Sequence, residues 1–305
     1  MLSLLRALGV LCAAALSACS PVGLLNATVP DGGVTVTRGI AYGDGPRQRL
    51  DVYRPAAAAP DRPLPDRPVP DRPVPDRPLV IFVYGGSWRM GSRGSYGFVA
   101  LPLAQRGAVV VVPDYRLYPE VAFPDFLDDN AQAVVWAVAH AAELGADPRR
   151  VFVVGHSAGA YNAAMLAVDG QYFRRAGLDR SAIAGVVGLA GPYDFLPIVD
   201  PDVIPVFAPV ADGPDSQPVN HVDGHNPPLL LLAGDADTTV DPRNTLSLAR
   251  KVAAAGGPVQ SHIYPGIGHI GIITAFAPLF SDRAPVLDDV WRFITEQRPT
   301  GTPHA

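Results

Sequence analysis

The chain has only two cysteines in 305 residues, Cys12 and Cys19, and both lie close to its start. That scarcity excludes a disulfide-stapled domain and a cysteine nucleophile for everything that follows, so stability must come from a hydrophobic core. Basic charge is also in short supply. Lys and Arg number 24 against 29 Asp and Glu, a formal net charge of −5. No basic stripe gathers them, so nucleic acid is not an expected partner. Long apolar runs are lacking as well: the N-terminal stretch Ala7 to Leu16 is too short to cross a bilayer comfortably as a helix.

What stands at the N-terminus is an export signature. Arg6 is the only charge in residues 1–19, apolar residues follow it, and small residues lead to Cys19. Leu16-Ser17-Ala18-Cys19 resembles a bacterial lipobox. That resemblance implies cleavage before Cys19, acylation of its thiol, and a mature chain anchored by lipid to a membrane of the cell envelope, periplasmic or surface-exposed. An ordinary signal peptide with a chance cysteine is the plainer alternative. Residues 20–33 are then expected as a tether, 34–298 as the folded domain and 299–305 as a tail.

A hydrophobic content of 48% can fill the core of one large α/β domain. Val34-Thr35-Val36 and Leu50-Asp51-Val52-Tyr53 alternate as strands do, on either side of the turn Gly43-Asp44-Gly45-Pro46, and predict an opening hairpin. Asp-Arg-Pro then recurs from Asp61, Asp66, Asp71 and Asp76. Proline removes backbone donors and fixes φ, so residues 55–78 are expected as an extended loop insertion. Beyond it come continuous apolar runs: Leu79 to Val83, Ala108 to Val112, Val151 to Val154, Ile183 to Leu189 and Leu229 to Ala233. Such runs suit parallel strands covered on both faces. His262-Ile263-Tyr264 reads as a last short strand.

Between the second and third runs, apolar residues at three- and four-residue spacing from Leu127 to Ala142 predict a helix. Asp241 and Pro242 mark another helix start, Gly256-Gly257 its end, and a final helix spans about 285–297. The sum is an α/β fold: a doubly wound, mostly parallel sheet with helices on both faces.

The strongest chemical signal is Gly155-His156-Ser157-Ala158-Gly159, between the strand at Val151 and the helical stretch Ala160 to Val168. Strand, strained turn and helix together form a nucleophile elbow, which exposes the Ser157 hydroxyl at the sheet edge. A serine hydroxyl needs a base, and the base needs an orienting acid. Of seven histidines, His156 lies within the elbow and is expected to point away from the base position, His262 is in a strand, His140 in a helix and His304 in the tail. His221 and His225 flank Asp223 in a proline- and glycine-rich loop without further ligand candidates, so no metal is expected. His269, in the loop Pro265-Gly266-Ile267-Gly268-His269 after the last strand, is the candidate base. Among Asp235, Asp237 and Asp241, the last is explained as a helix cap, and Asp237 is preferred to Asp235 as the orienting acid.

Tyr84-Gly85-Gly86-Ser87-Trp88 follows the strand that ends at Val83. It resembles the His-Gly-Gly-x-Trp signature of the esterase and lipase branch of the α/β-hydrolase superfamily, with Tyr84 where that family usually has histidine. The resemblance implies an oxyanion hole built from the backbone NH groups of Gly86, Ser87 and Ala158, with Gly85 as a further candidate. Pro113 to Glu120 and Ala190-Gly191-Pro192-Tyr193-Asp194 resemble other segments of the family, and Asp114 with Arg116 is expected as a buried pair beneath the site.

The likeness extends over roughly residues 36 to 297, toward feruloyl-esterase-like and prenylcysteine methylesterase-like carboxylesterases and, more distantly, kynurenine formamidases. It implies a cofactor-free serine hydrolase of a small-molecule ester, with short to medium acyl chains because residues 192–228 offer only a small cap and no large lid. A formamide hydrolase is the alternative, and a non-catalytic binding protein on a hydrolase fold a further one. Oligomeric state is not legible.

Overall fold

The computed structural model describes residues 21–56, 76–210, 213–297 and 299–300. The export signature with Cys19, most of the proline-rich insertion, and His304 lie outside the described residues.

Eight strands form one sheet: β1 Val34–Ala41, β2 Arg49–Pro55, β3 Leu79–Val83, β4 Val109–Pro113, β5 Val151–His156, β6 Ile183–Leu189, β7 Leu229–Gly234 and β8 Val259–Tyr264. Their spatial order is β1-β2-β4-β3-β5-β6-β7-β8. β1, β2 and β4 pair antiparallel, and every other neighbouring pair is parallel. The opening hairpin thus caps one edge of a parallel sheet. Strands β3 to β7 are buried along their whole length, as their unbroken Val, Ile and Leu runs require. β8 is different. It lies at the far edge with only Tyr264 buried, and Val259-Gln260-Ser261, two of them polar, extend the strand to twice the length the apolar signal predicts.

The helices that frame the sheet are α1 Pro21–Ala27, α2 Gly97–Gln105, α3 Asp125–Ala139, α4 Ala158–Val168, α5 Arg243–Ala254, α6 His269–Thr274 and α7 Val286–Glu296. α4 is buried on all sides and packs on β5 and β6. α7 by contrast is amphipathic, and lays Val286, Val290, Phe293 and Ile294 against the body.

Two sequence expectations are corrected here. The helix expected over Leu127 to Ala142 stops at Ala139, and a separate turn follows at Ala141–Leu144. His140 stands between them, its amide keeping the helical bond to the Trp136 carbonyl at 3.1 Å while its Nδ1 lies 2.8 Å from the same oxygen and its ring stacks on the Trp136 ring. The expected tether is also not a simple one. α1 docks on the turn at Arg93–Tyr96 and on α2, with Leu25 and Val29 in the core. Asn26 fixes it there: Nδ2 donates to the Ser95 carbonyl at 3.2 Å and Oδ1 accepts from the Phe98 amide at 2.8 Å.

Candidate active site

Parallel register decides which chain segments meet. Val83 pairs with Gly155, His156 with Leu189, Leu189 with Leu232, and Gly234 with Tyr264. The segments that leave these strand ends, at Tyr84, Ser157, Asp235 and Pro265, therefore emerge along one carboxyl edge. Between β5 and α4 the chain turns through Ser157 at φ 56°, ψ −124°, a region that side chains other than glycine rarely enter. Its flanking glycines are required by crowding. A Cβ on Gly155 would lie 2.2 Å from the Gly159 carbonyl oxygen, and one on Gly159 would lie 2.1 Å from that of Val83.

The turn delivers Ser157 Oγ to 2.9 Å from His269 Nε2, and His269 Nδ1 lies 2.8 Å from Asp237 Oδ2. A carboxylate only accepts, so Nδ1 carries the proton and Nε2 is left to accept from the serine hydroxyl. Asp237 is itself held: its Oδ1 accepts from the amides of Thr239 and Val240, each at 2.9 Å. The two other aspartates have separate partners. Asp235 accepts from the Gly266 amide at 2.6 Å, bracing the loop that precedes His269, and Asp241 accepts from the Arg243 amide at 2.8 Å at the start of α5.

His156 does not contact the base position but does contact the base. Its Nε2 lies 3.1 Å from the backbone carbonyl of His269, and the two ring centroids are 4.9 Å apart. Burial, and secondarily the nearness of His269, lowers its pKa to about 3, so the ring is neutral and donates from Nε2. Sequence reading missed this contact. Its only signal was an ionisable residue at a position flanked by strand and elbow.

The glycine turn after β3 runs through three successive residues at positive φ: Gly86 at 127°, Ser87 at 51° and Trp88 at 58°. No acceptor among the described residues takes the amide of Gly86 or Ser87. The amide of Ala158, first in α4, likewise has no intrahelical acceptor. Gly85 brings the turn against the elbow, since a Cβ there would lie 2.7 Å from Ser157 Cβ. These amides are thus free to meet a developing negative charge.

Tyr84 takes a defined place. Its hydroxyl donates to Asp114 Oδ1 at 2.8 Å and accepts from Arg47 Nη2 at 2.8 Å, and its ring stacks between those of Tyr96 and Tyr115. Arg47 also donates to the Gly91 carbonyl at 2.9 Å, so both ends of the turn are tied to one cluster. Burial and the neighbouring Tyr115 and Asp114 push the Tyr84 hydroxyl far above its ordinary range, which keeps it a donor.

The expected Asp114–Arg116 pair is not formed. Asp114 binds the Arg93 guanidinium and Tyr84, while Arg116 forks onto Asp129 of α3 at 2.8 Å. Residues two apart in this segment found partners on different elements, because the charges that face them come from the turn at Arg93 on one side and from α3 on the other.

In the segment 192–228, Phe207 is fully buried and joins Trp88, Phe126 and Tyr161 in an aromatic cluster, while Phe195 and Val203 are half-buried and Ile204 is exposed. Arg89 reaches from the glycine turn to the Asp202 carbonyl at 3.2 Å and lies over the Tyr118 ring. His221 and His225 pack against local backbone carbonyls and Asp169. Two surface clefts of about 440 and 430 Å³ lie around Arg174 and Arg180 and around Asp194 and Arg250, and neither includes Ser157, His269 or Asp237.

The sheet order and the strained serine elbow at its carboxyl edge define an α/β-hydrolase fold. The chain belongs to the BD-FAE family, whose model matches residues 68–252. Among curated proteins it is 28% identical over 257 residues to a probable isoprenylcysteine alpha-carbonyl methylesterase, ICMEL1, of Arabidopsis thaliana, covering 77% of this chain and 51% of that protein. It is 30% identical over 252 residues to esterase LipC of Mycobacterium tuberculosis, covering 76% of this chain and 59% of that one. The chain thus spans between half and two thirds of the length of these relatives. Among solved structures it is similar in fold to esterase B of Lactobacillus rhamnosis, with a TM-score of 0.71, 19% identity, and coverage of 97% of this chain and 96% of that one.

Proposed function

We propose that this chain is a serine hydrolase that cleaves carboxylic esters of short to medium acyl chain through an acyl-enzyme. One observation carries the reading: an unbroken line of contacts from Ser157 Oγ through His269 to Asp237. Ser157 Oγ attacks the ester carbonyl carbon while His269 Nε2 takes the hydroxyl proton. Asp237 holds the imidazole and stabilises its charged form. The carbonyl oxygen becomes an oxyanion, met by the amides of Gly86, Ser87 and Ala158, each such donor being worth about 3 kcal/mol in the transition state. The tetrahedral intermediate collapses, the carbon–oxygen bond to the alcohol breaks, and the imidazolium returns its proton to the leaving oxygen. Water, deprotonated by His269, then repeats the sequence on the acyl-serine and releases the acid.

Cys19 is the proposed lipid attachment point, which would place the enzyme on a membrane of the bacterial envelope. The lipobox-like Leu16-Ser17-Ala18-Cys19 supports this.

The test is a panel of p-nitrophenyl esters of increasing acyl length, run beside an N-formyl amide, on wild type and Ser157→Ala. Ester turnover that peaks at short or medium chains and vanishes in Ser157→Ala is expected, together with fluorophosphonate labelling of wild type alone. A faster rate on the formyl amide than on any ester would assign the protein to amide hydrolysis instead. Full ester turnover in Ser157→Ala would overturn the mechanism.

A further inference from the structure

Helix α4 begins directly after Ser157 and is buried along its whole length, and its residues beyond Gly159 are apolar or aromatic with one exception, Asn162. A buried asparagine has four hydrogen-bonding positions to fill and is a weaker helix former than alanine or leucine. Asn162 makes one bond: its Oδ1 accepts from the indole Nε1 of Trp88 at 2.9 Å. Indole only donates, so the amide orientation is fixed by chemistry, and Nδ2 points into the core with no acceptor among the described residues. Leaving such a donor unpaired is destabilising. The helix carries this penalty beside a single side-chain contact.

That contact is with the glycine turn. Trp88 closes the run of three positive-φ residues that presents the Gly86 and Ser87 amides. Strained turns of this kind persist only where the surroundings over-determine them. The Trp88 ring is packed edge-on against Tyr161 and Phe207 and stacked on Phe126, which fixes its plane. That packing supplies no directional bond, whereas the hydrogen bond at Nε1 is directional and buried and ties the indole edge to α4. Asn162 and Ser157 are joined by little more than one turn of rigid helix, so the bond fixes the turn's amides relative to the hydroxyl.

We infer that Asn162 is a positioning residue: through Trp88 it sets the distance between the oxyanion-binding turn and the Ser157 hydroxyl. The inference rests on the hydrolase reading above. Misplacing catalytic groups by about 1 Å can cost up to about a hundredfold in rate. Asn162→Leu is therefore expected to lower kcat by roughly tenfold to a hundredfold. Its KM should stay within about twofold, since uniform binding is untouched.

The experiment compares wild type, Asn162→Leu, Trp88→Phe, the double variant and Ser157→Ala, each measured for kcat, KM, fluorophosphonate inactivation rate and thermal midpoint. In the double variant both buried polar groups are gone. Its midpoint should match or exceed that of either single variant, while its kcat should be no lower than the poorer of them. Fluorophosphonate inactivation should slow in parallel with kcat, because the phosphoryl oxygen uses the same amides. The inference is overturned if Asn162→Leu keeps wild-type kcat, or if the losses in kcat of the two single variants multiply in the double. It is also overturned if Asn162→Leu activity recovers in full at a temperature where the variant is fully folded. A Ser157→Ala variant that retains activity would sink the hydrolase reading itself, a separate result.

Discussion

At the scale of single residues, the candidate site is a set of groups whose tautomers and charges are fixed by what they touch. Asp237 accepts from His269 and from two backbone amides, so Asp237→Asn would leave the imidazole facing an amide that can present the wrong atom. A fall in kcat on the order of ten-thousandfold, with little change in thermal midpoint, is expected. His156 makes a different prediction. Its pKa is lowered from 6.5 to about 3 in the folded protein by burial, with His269 adding to the effect. Above its ordinary pKa both folded and unfolded chains hold it neutral. As pH falls below about 6.5 the unfolded chain gains a proton that the folded one refuses, so stability drops progressively toward pH 3. The thermal midpoint of wild type should therefore decline more steeply between those limits than that of His156→Gln, and equal slopes would show that His156 contributes nothing to acid unfolding. Tyr84→Phe removes a hydroxyl that bridges Arg47 and Asp114 beneath the glycine turn. Leaving a buried carboxylate without that donor should destabilise the fold by about 1–3 kcal/mol, read as a lower midpoint in urea.

At the scale of elements, strand–turn–helix crossing sets tolerance to change. Because a Cβ on Gly159 would sit 2.1 Å from the Val83 carbonyl, Gly159→Ala must push α4 away from β3. Loss of soluble folded protein, or a folded protein that fluorophosphonate no longer labels, is the expected outcome in expression and labelling assays. This part of the molecule was plain in the sequence, because small residues on both sides of Ser157, with a strand before and a helix after, fit a cramped crossing and little else. The edge strand β8 was less so. Half of it is polar because one edge and most of its side chains face water, and periodicity carries no signal where nothing is buried. The break at His140 was hidden for a related reason, since apolar spacing continues through Ala142 past the last residue of α3.

At the scale of the whole molecule, α1 links whatever precedes it to the body. Leu25 is 8% exposed, and Leu25→Ala should lower stability by about 2 kcal/mol in chemical denaturation while leaving ester turnover of the folded enzyme intact. In a bacterial host able to acylate lipoproteins, Cys19→Ala should release activity from the membrane fraction, and unchanged fractionation would rule out the lipid anchor. The docking of α1 was illegible in the sequence because its contacts, Asn26 to Ser95 and Phe98, join segments about seventy residues apart. What the amino-acid sequence determined alone was everything written in local pattern: apolar runs that must be covered strands, a serine on a cramped turn, glycines at the exit of β3, aspartates in the loop after β7, and a histidine after the last strand, which the structure sets at the start of α6 rather than in the expected loop. Tertiary structure alone decided the separate hydrogen-bond partners of Asp235 and Asp237, the partners of Asp114 and Arg116, the lodging of Tyr84, and the contacts of His156 and Asn162. Each of those depends on which side chains face one another across separate elements. Sheet register and helix packing fix that, and no spacing along a single segment encodes it.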